Sequence, residues 1–370
     1  MIRIAVKSFL FSLIASLIFG GSCFAQDTLR TYYDEDSLHV KEILTKINGK
    51  AEGVVRLFDP TGKLILIGNL KNDQRDGFFY DLDPESGDTL RIVKFENNLR
   101  EGKALSYFPG GQLSQESIFV NNRLEGPLTS YSEDGTVRER VNFKNNKPEG
   151  VSEAFYPSGK LRSKHVFLAG QYDGVNEEYA EDGQLISSTS YSRGILNGPE
   201  TYYFPDGSVK SKRNFANGNI EGEYVLYFPD GKVERKGFYK KGNPEGQMQE
   251  YFPDGSLKMQ AVYSKGIPTR PILYYHPNGQ IRQRITFDSQ GSRIREENFY
   301  ASGKPYSTVP FARGSEHGEV KFYFENGNIK ELRTYSFGRL EGKQETYDED
   351  GTLLKSESYQ NGIVVKNSSL

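Results

Sequence analysis

The side chains best suited to chemistry are few and widely dispersed. Four histidines, His39, His165, His276 and His317, stand in the whole chain, and no two share the spacing that brings a pair of imidazoles onto one metal ion. Isolated solvated or packed rings are what such scatter supports. His276 stands where neighbouring segments carry Phe, and reads as a variant strand residue. The acidic turn Asp348-Glu349-Asp350-Gly351 opens like a calcium loop, but its twelfth position is Tyr359 where a bidentate Glu is required. Carboxylates such as Glu221 and Glu245 recur at equivalent places, and none is set apart from its equivalents as a general acid or base must be. No Ser, His and Asp set and no phosphate-cradling glycine loop is present. No catalytic residues, no metal and no cofactor are therefore expected.

Cys23 is the only cysteine, and it lies in a segment unlike the rest. Arg3 and Lys7 precede an apolar run of 11 residues from Phe9 to Phe19, and Cys23-Phe24-Ala25 sets small residues around a bulky one before Gln26. Residues 1–25 thus read as a signal peptide cut after Ala25. The apolar run falls short of the roughly 20 residues that span a bilayer, so no transmembrane segment is expected in the mature chain. Lipid anchoring at Cys23 is the less favoured outcome, because Gly20-Gly21-Ser22 lacks the Leu that usually opens that motif. A chain cut at Ala25 has no thiol, which excludes disulfides, thiolate metal sites and cysteine nucleophiles. The destination is the periplasm, the outer envelope or the medium. With a net charge of −2 and interspersed charges, no basic surface exists to neutralise a phosphate backbone, and nucleic acid is not an expected partner.

The elements that carry these side chains are set by a 24-residue period. A glycine recurs at Gly111, Gly135, Gly159, Gly183, Gly207, Gly231, Gly255, Gly279, Gly303, Gly327 and Gly351. Four residues before it stands an aromatic, as in Tyr107, Phe155, Tyr179, Tyr203, Tyr227, Tyr251, Tyr275 and Tyr323, and eight residues after it another, from Phe119 and Phe167 through Phe215 to Tyr359. Two residues after the glycine comes an aliphatic such as Leu113, Val209 or Leu353, with Pro305 as the exception. A second glycine, usually after Glu, Asp or Asn, closes each unit at Gly102, Gly126, Gly150, Gly174, Gly198, Gly222 and Gly246. It is lost at Arg270 and Ile294 and returns at Gly318 and Gly342.

In Tyr-Phe-Pro-Asp-Gly, Pro presets φ at the first corner of a turn and Gly takes the positive φ that a Cβ resists. The flanking segments are short and rich in Tyr, Phe, Val and Ile, which suit a pleated, half-buried surface. Each unit is therefore a β-hairpin, and an isolated hairpin is marginal unless its neighbours stack on it. The fold expected is all-β: an elongated, solenoid-like, single-layer antiparallel meander of tandem hairpins, on the order of 110 Å long at about 4.8 Å per strand. Residues 26–52 read as a cap or degenerate repeat, 53–365 as the array and 366–370 as a tail. One Tyr, one aliphatic and one later aromatic per unit are expected to form a common ridge. From about 270 to 310, Pro305 and Pro310 enter strand positions, and the sheet is expected to bend or break.

This unit resembles the MORN-repeat variant family over roughly residues 51 to 365. Bacterial proteins of that type are often labelled YwqK-like antitoxin components. The resemblance implies a single-layered hairpin array and a role in protein or membrane association, with no catalysis of its own. The export signal and the absence of Trp depart from the family's usual form. A protein partner is the first expectation, with glycan or envelope-surface binding through the row Tyr179, Tyr203, Tyr227, Tyr251, Tyr275 and Tyr323, or antitoxin-type neutralisation of a toxin partner, as the alternatives. Expressed in a bacterial host, the chain should be recovered from the extracytoplasmic fraction with Gln26 as its first residue; N-terminal sequencing that finds Met1 intact rules out the cleavage.

Overall fold

The computed structural model describes residues 26–36 and 38–369; the proposed signal peptide lies outside them. All regular structure among the described residues is strand. The chain divides into two compact units, Met1–Arg123 and Leu124–Leu370. In the first, Gln26–Tyr32 pairs with Val40–Ile47, so the expected cap is itself a hairpin. It is followed by Gly53–Phe58 against Leu64–Lys71, Gly77–Leu82 against Thr89–Glu96, and Gly102–Tyr107 against Leu113–Val120. In the second, antiparallel hairpins run from Gly126–Tyr131 against Val137–Lys144 to Arg339–Tyr347 against Leu353–Gln360. Within each unit the second strand of a hairpin pairs with the first of the next, as Leu64–Lys71 does with Gly77–Leu82 and Val209–Ala216 with Gly222–Tyr227.

Two turns alternate. At Phe204-Pro205-Asp206-Gly207 the Gly207 N–H donates to the Phe204 carbonyl (2.9 Å), the Phe204 N–H to the Ser208 carbonyl (2.8 Å), and Gly207 has φ +83°. The Asp206 carboxylate accepts the Ser208 N–H (2.8 Å) and hydroxyl (2.6 Å), and these bonds hold its pKa below the usual carboxylate value, as at Asp254. The other reversal is a two-residue turn with both φ positive, Asn121 (49°) and Asn122 (70°), or Asn217 (50°) and Gly218 (79°). That is the turn type whose twist matches the flanking strands, and it selects Asn and Gly. The second glycine of each unit thus plays a different part from the one expected: the reversal lies a few residues before it. Where Asn243–Tyr251 pairs with Val233–Lys240, the register shifts beside Gly246, which keeps a positive φ of 71° within the strand.

The expected common ridge is split in two. Ser106 pairs with Gln115, and the next pair is Tyr107 with Leu113. One residue is skipped, a bulge repeated in every later hairpin. Counting alternation from Gly102↔Phe119 and Ala104↔Ser117 places Tyr107 and Leu113 on the face opposite Phe119. Side-chain bonds agree. Tyr179 donates to Glu177 two residues back (2.9 Å) and Tyr347 to Glu345 (2.8 Å), while Tyr359 bonds Glu357 on the other face (3.1 Å). The more buried face is that of the later aromatic, with Val55, Phe79, Phe95 and Phe119 in the first unit and Val141, Phe215, Met248 and Ala261 in the second. Each such ring or large aliphatic contributes roughly 1.5–3 kcal/mol relative to exposure.

The stretch 270–310 stays paired throughout. Ile272 faces Ile285, Ile285 faces Glu296, and Glu296 faces Val309. There the two-residue reversal is replaced by Asp288–Gly291, where the Gly291 N–H donates to the Asp288 carbonyl (3.1 Å). A second turn of the Pro-Asp-Gly geometry absorbs the irregular sequence, and the ladder does not break. Residues 366–369, expected as a tail, extend the last strand, with Lys366 opposite Ser358. Close packing is tightest at Gly68, where an added Cβ would stand 2.2 Å from the Phe79 ring. Gly68→Ala should therefore cost about 1–3 kcal/mol, as overpacking of a filled site does, read as a lowered urea midpoint.

Candidate binding faces

The carboxylates beside the second glycine have a structural task. Glu221 accepts the Lys241 N–H (2.7 Å) and Glu245 the Lys265 N–H (2.7 Å); Glu101 and Glu341 do the same for Asn121 (2.8 Å) and Asn361 (2.9 Å). Each caps the first residue of the two-residue turn twenty positions on. His317 occupies this place in its own unit, its Nδ1 accepting the Phe337 N–H (3.4 Å) with the rings stacked 4.4 Å apart. His276 Nε2 donates to the Phe299 carbonyl (3.0 Å), as the Tyr156 hydroxyl donates to that of Tyr179 (2.7 Å) and the Tyr300 hydroxyl to that of Tyr323 (2.8 Å). His165 pairs with Glu178 (2.7 Å) and His39 with Asp34. The Asp348 carboxylate is turned onto the N–H groups of Asp350 (3.1 Å) and Thr352 (2.7 Å).

Tyr179, Tyr203, Tyr227, Tyr251, Tyr275 and Tyr323 lie half-buried on the more open face. Among the described ring contacts none joins two of them. A strand intervenes between successive rings, and its cationic side chains fill the gap: Lys236 lies 5.7 Å over Tyr251, Arg140 5.3 Å over Phe155 and Arg284 5.6 Å over Phe299. The row is a mixed ladder of rings and cations. Burial first, and the Glu177 carboxylate second, push the Tyr179 hydroxyl up to about 12. Burial also raises Tyr275.

The opposite face carries a true ring cluster. Phe167 and Tyr172 are 4.9 Å apart, Tyr172 and Tyr191 5.3 Å, and His165 and Tyr172 5.2 Å. Sequence reasoning passed over Tyr172, because it stands just before Asp173-Gly174, a position not followed along the repeat. On the open face, Val151 pairs with Val166, and Val151, Val175 and Phe238 are 41, 46 and 46% exposed.

A string of hairpins, each covering its neighbour's apolar side chains, defines a repeat scaffold in which no unit stands alone. The chain belongs to the MORN repeat variant family, whose pattern matches residues 51–72, 100–121, 124–145, 148–168, 196–217, 220–241, 244–265, 272–289, 316–336 and 340–361. No curated protein matches it. Solved structures similar to it include "Crystal Structure of TcdB2-TccC3", at 12% identity and a TM-score of 0.16 over 91% of this chain and 23% of that one. "Crystal Structure of TcdB2-TccC3-Cdc42" matches at 9% identity and a TM-score of 0.13 over 91% and 25%. The chain thus spans about a quarter of the length of those chains, and at such TM-scores the likeness carries no functional weight. Among the described residues no helix is long and apolar enough to cross a membrane.

The raised tyrosines set an alkaline limit. A folded pKa above the unfolded value of 10.0 contributes stability that is complete below pH 10 and is lost as pH rises toward about 12 for Tyr179. Urea unfolding should therefore weaken above pH 10, and less steeply in Tyr179→Phe; equal slopes for both proteins would show that Tyr179 is not among the groups responsible.

Proposed function

We propose that this chain is an exported, non-enzymatic repeat scaffold that binds a protein partner at the cell envelope or outside the cell. The observation that carries the reading is the apolar side chains on the open face of the second unit, where Val151, beside the half-buried Val166, and Val175 are exposed, and Phe238 is exposed several strands further on. A soluble sheet normally gives such positions to polar residues, and contiguous exposed apolar side chains are a mark of interaction surfaces. Cationic and amide side chains, Lys236, Gln247 and Gln249, rim the groove beside Phe238, as the polar border of a protein interface does. The leader read in residues 1–25 supports action outside the cytoplasm.

A glycan reading has one observation in its favour, the Phe167, Tyr172 and Tyr191 cluster with Glu178 beside His165. Rings and a carboxylate together suit a sugar's apolar face and hydroxyls.

Two sets of variants separate these readings. Val151→Glu with Val175→Glu and Phe238→Glu should abolish stoichiometric capture of a protein from the envelope fraction, a weakening of at least ten-fold, about 1.4 kcal/mol. Tyr172→Ala with Tyr191→Ala should leave that capture intact. Capture unaffected by the glutamates removes the protein reading, and retention on envelope polysaccharide that the alanines abolish establishes the glycan one.

A further inference from the structure

The residue two places before the second glycine of each unit, after which Glu, Asp or Asn usually stands, packs by the buried aromatic row. In the second unit it is apolar in Leu124, Pro148, Tyr172, Leu196, Ile220 and Pro244, and acidic at Glu316, and it stands opposite the aromatic, as Tyr172 does Phe167, Ile220 does Phe215, Pro244 does Tyr239 and Glu316 does Phe311. In the first unit the same place is taken by Arg75 and Arg100. Their guanidinium groups lie 4.1 Å over the Phe95 ring and 4.0 Å over the Phe119 ring. Arg100 is further held by Asn122, donating from Nε to its Oδ1 (3.3 Å) and from Nη2 to its carbonyl (3.2 Å). The first unit therefore replaces an apolar cover at two successive hairpins with a cation held over a ring.

Elsewhere a cation on this aromatic row is neutralised. Arg293, 3.7 Å over Phe311, bonds Glu296 (2.9 Å), and Arg213, over Phe215, pairs with Glu200. Arg91 in the first unit pairs with Asp81 (2.5 Å). Among the described residues Arg75 and Arg100 have no carboxylate at ion-pair distance. Both line a groove of about 570 Å³ that also presents Ser106, Gln115 and the Asp81–Arg91 pair, whose charges offset each other. We propose that this groove is a docking site for an extended acidic peptide segment of a partner protein, with Arg75 and Arg100 each taking one carboxylate.

Charge complementarity and spacing select that occupant. The two arginines stand on equivalent strands of adjacent hairpins, two strand spacings or about 10 Å apart. Carboxylates three residues apart on an extended chain in the threefold polyproline II form share one face and stand about 9 Å apart at roughly 3.1 Å per residue. A guanidinium pre-oriented on an aromatic face offers its edge for two parallel bonds to a carboxylate. A sugar finds no platform here, because Phe95 and Phe119 are 7 and 8% exposed and their faces are taken by the guanidinium groups.

The inference rests on the protein-binding reading above and uses a different surface, so the two fail separately. The full chain would be titrated with fluorescent peptides carrying two Glu separated by two neutral residues, and with the same peptides bearing Gln. Hexagalacturonate and phosphatidylglycerol vesicles would serve as the other anionic probes. The Glu peptides should bind at least ten-fold more tightly than the Gln peptides. Arg75→Leu with Arg100→Leu, which copies Leu124 and Leu196 and so keeps the cover over the rings, should remove that difference with an unchanged unfolding midpoint. Should the double leucine variant fail to fold, Arg75→Gln with Arg100→Gln replaces it. No binding of the Glu peptides, equal binding of both peptide sets, equal affinity in the variants, or arginine-dependent binding of only the galacturonate or the vesicles would overturn the proposal. Peptide binding lost in the arginine variants while envelope capture persists would leave the open-face reading intact; arginine-dependent peptide binding together with capture unaffected by Val151→Glu, Val175→Glu and Phe238→Glu would remove that reading alone.

Discussion

A hairpin of two short strands cannot bury both of its faces, and every feature of this chain answers to that constraint. The residue skipped beside each Pro-Asp-Gly turn is the device that manages it. By shifting register between Ser106 and Tyr107 and at each equivalent place, it sends the tyrosines before the turn to one side and the aromatics after it to the other. The later aromatics then pack with small or aliphatic neighbours such as Ala104 and Val141, and are the better covered. The tyrosines share their side with Arg140, Lys236 and Arg284, whose stems and charges cover ring surface while keeping it wet. A single layer thereby obtains one better covered face and one mixed face from a repeating sequence.

Most of the architecture was legible because it is periodic. The spacing of Gly207, Gly231 and Gly255, with Pro and Asp ahead of them, fixes the turn, and the turn fixes a hairpin. What escaped sequence reasoning was parity. Alternation counted through the turn assumes an unbroken ladder, and a one-residue bulge reverses every assignment beyond it. The second reversal escaped for a related reason: Ala169-Gly170 and Lys241-Gly242 look unlike turns until both residues are known to hold positive φ, whereas the nearby Glu-Gly pair is conspicuous and was given its task. In the same way Pro305 and Pro310 suggested a break, yet a four-residue turn at Asp288–Gly291 keeps the pairing intact.

The candidate sites were less legible than the fold, because in a repeat protein the informative residues are the ones that leave the pattern. Tyr179 and its equivalents follow the pattern and turn out half-buried among cations. Arg75 and Arg100 leave it at a position that elsewhere covers a ring, and Tyr172 leaves it by bringing a third ring to Phe167 and Tyr191. Glu200 and Arg213 leave it together, a charge pair standing opposite each other where small or apolar pairs are usual. Departures that come in compensating pairs keep the sheet intact; those without a compensating neighbour are the positions at which binding is proposed.

The glutamate that caps the turn twenty residues later has a consequence for how such a chain changes in length. Its bond closes within one period, so each module satisfies its own N–H and asks nothing special of distant ones. Where the cap is missing, at Thr269, the two-residue turn it would have served is missing too, replaced by Asp288–Gly291. The link is not obligatory, because Arg293 stands at the cap position of the next unit and the turn Arg313-Gly314 still forms with positive φ at both residues. A duplication or excision of 24 residues keeps cap and donor in register wherever it begins, whereas a change that is not a whole number of periods strands an N–H, so the array changes length without loss only by whole modules.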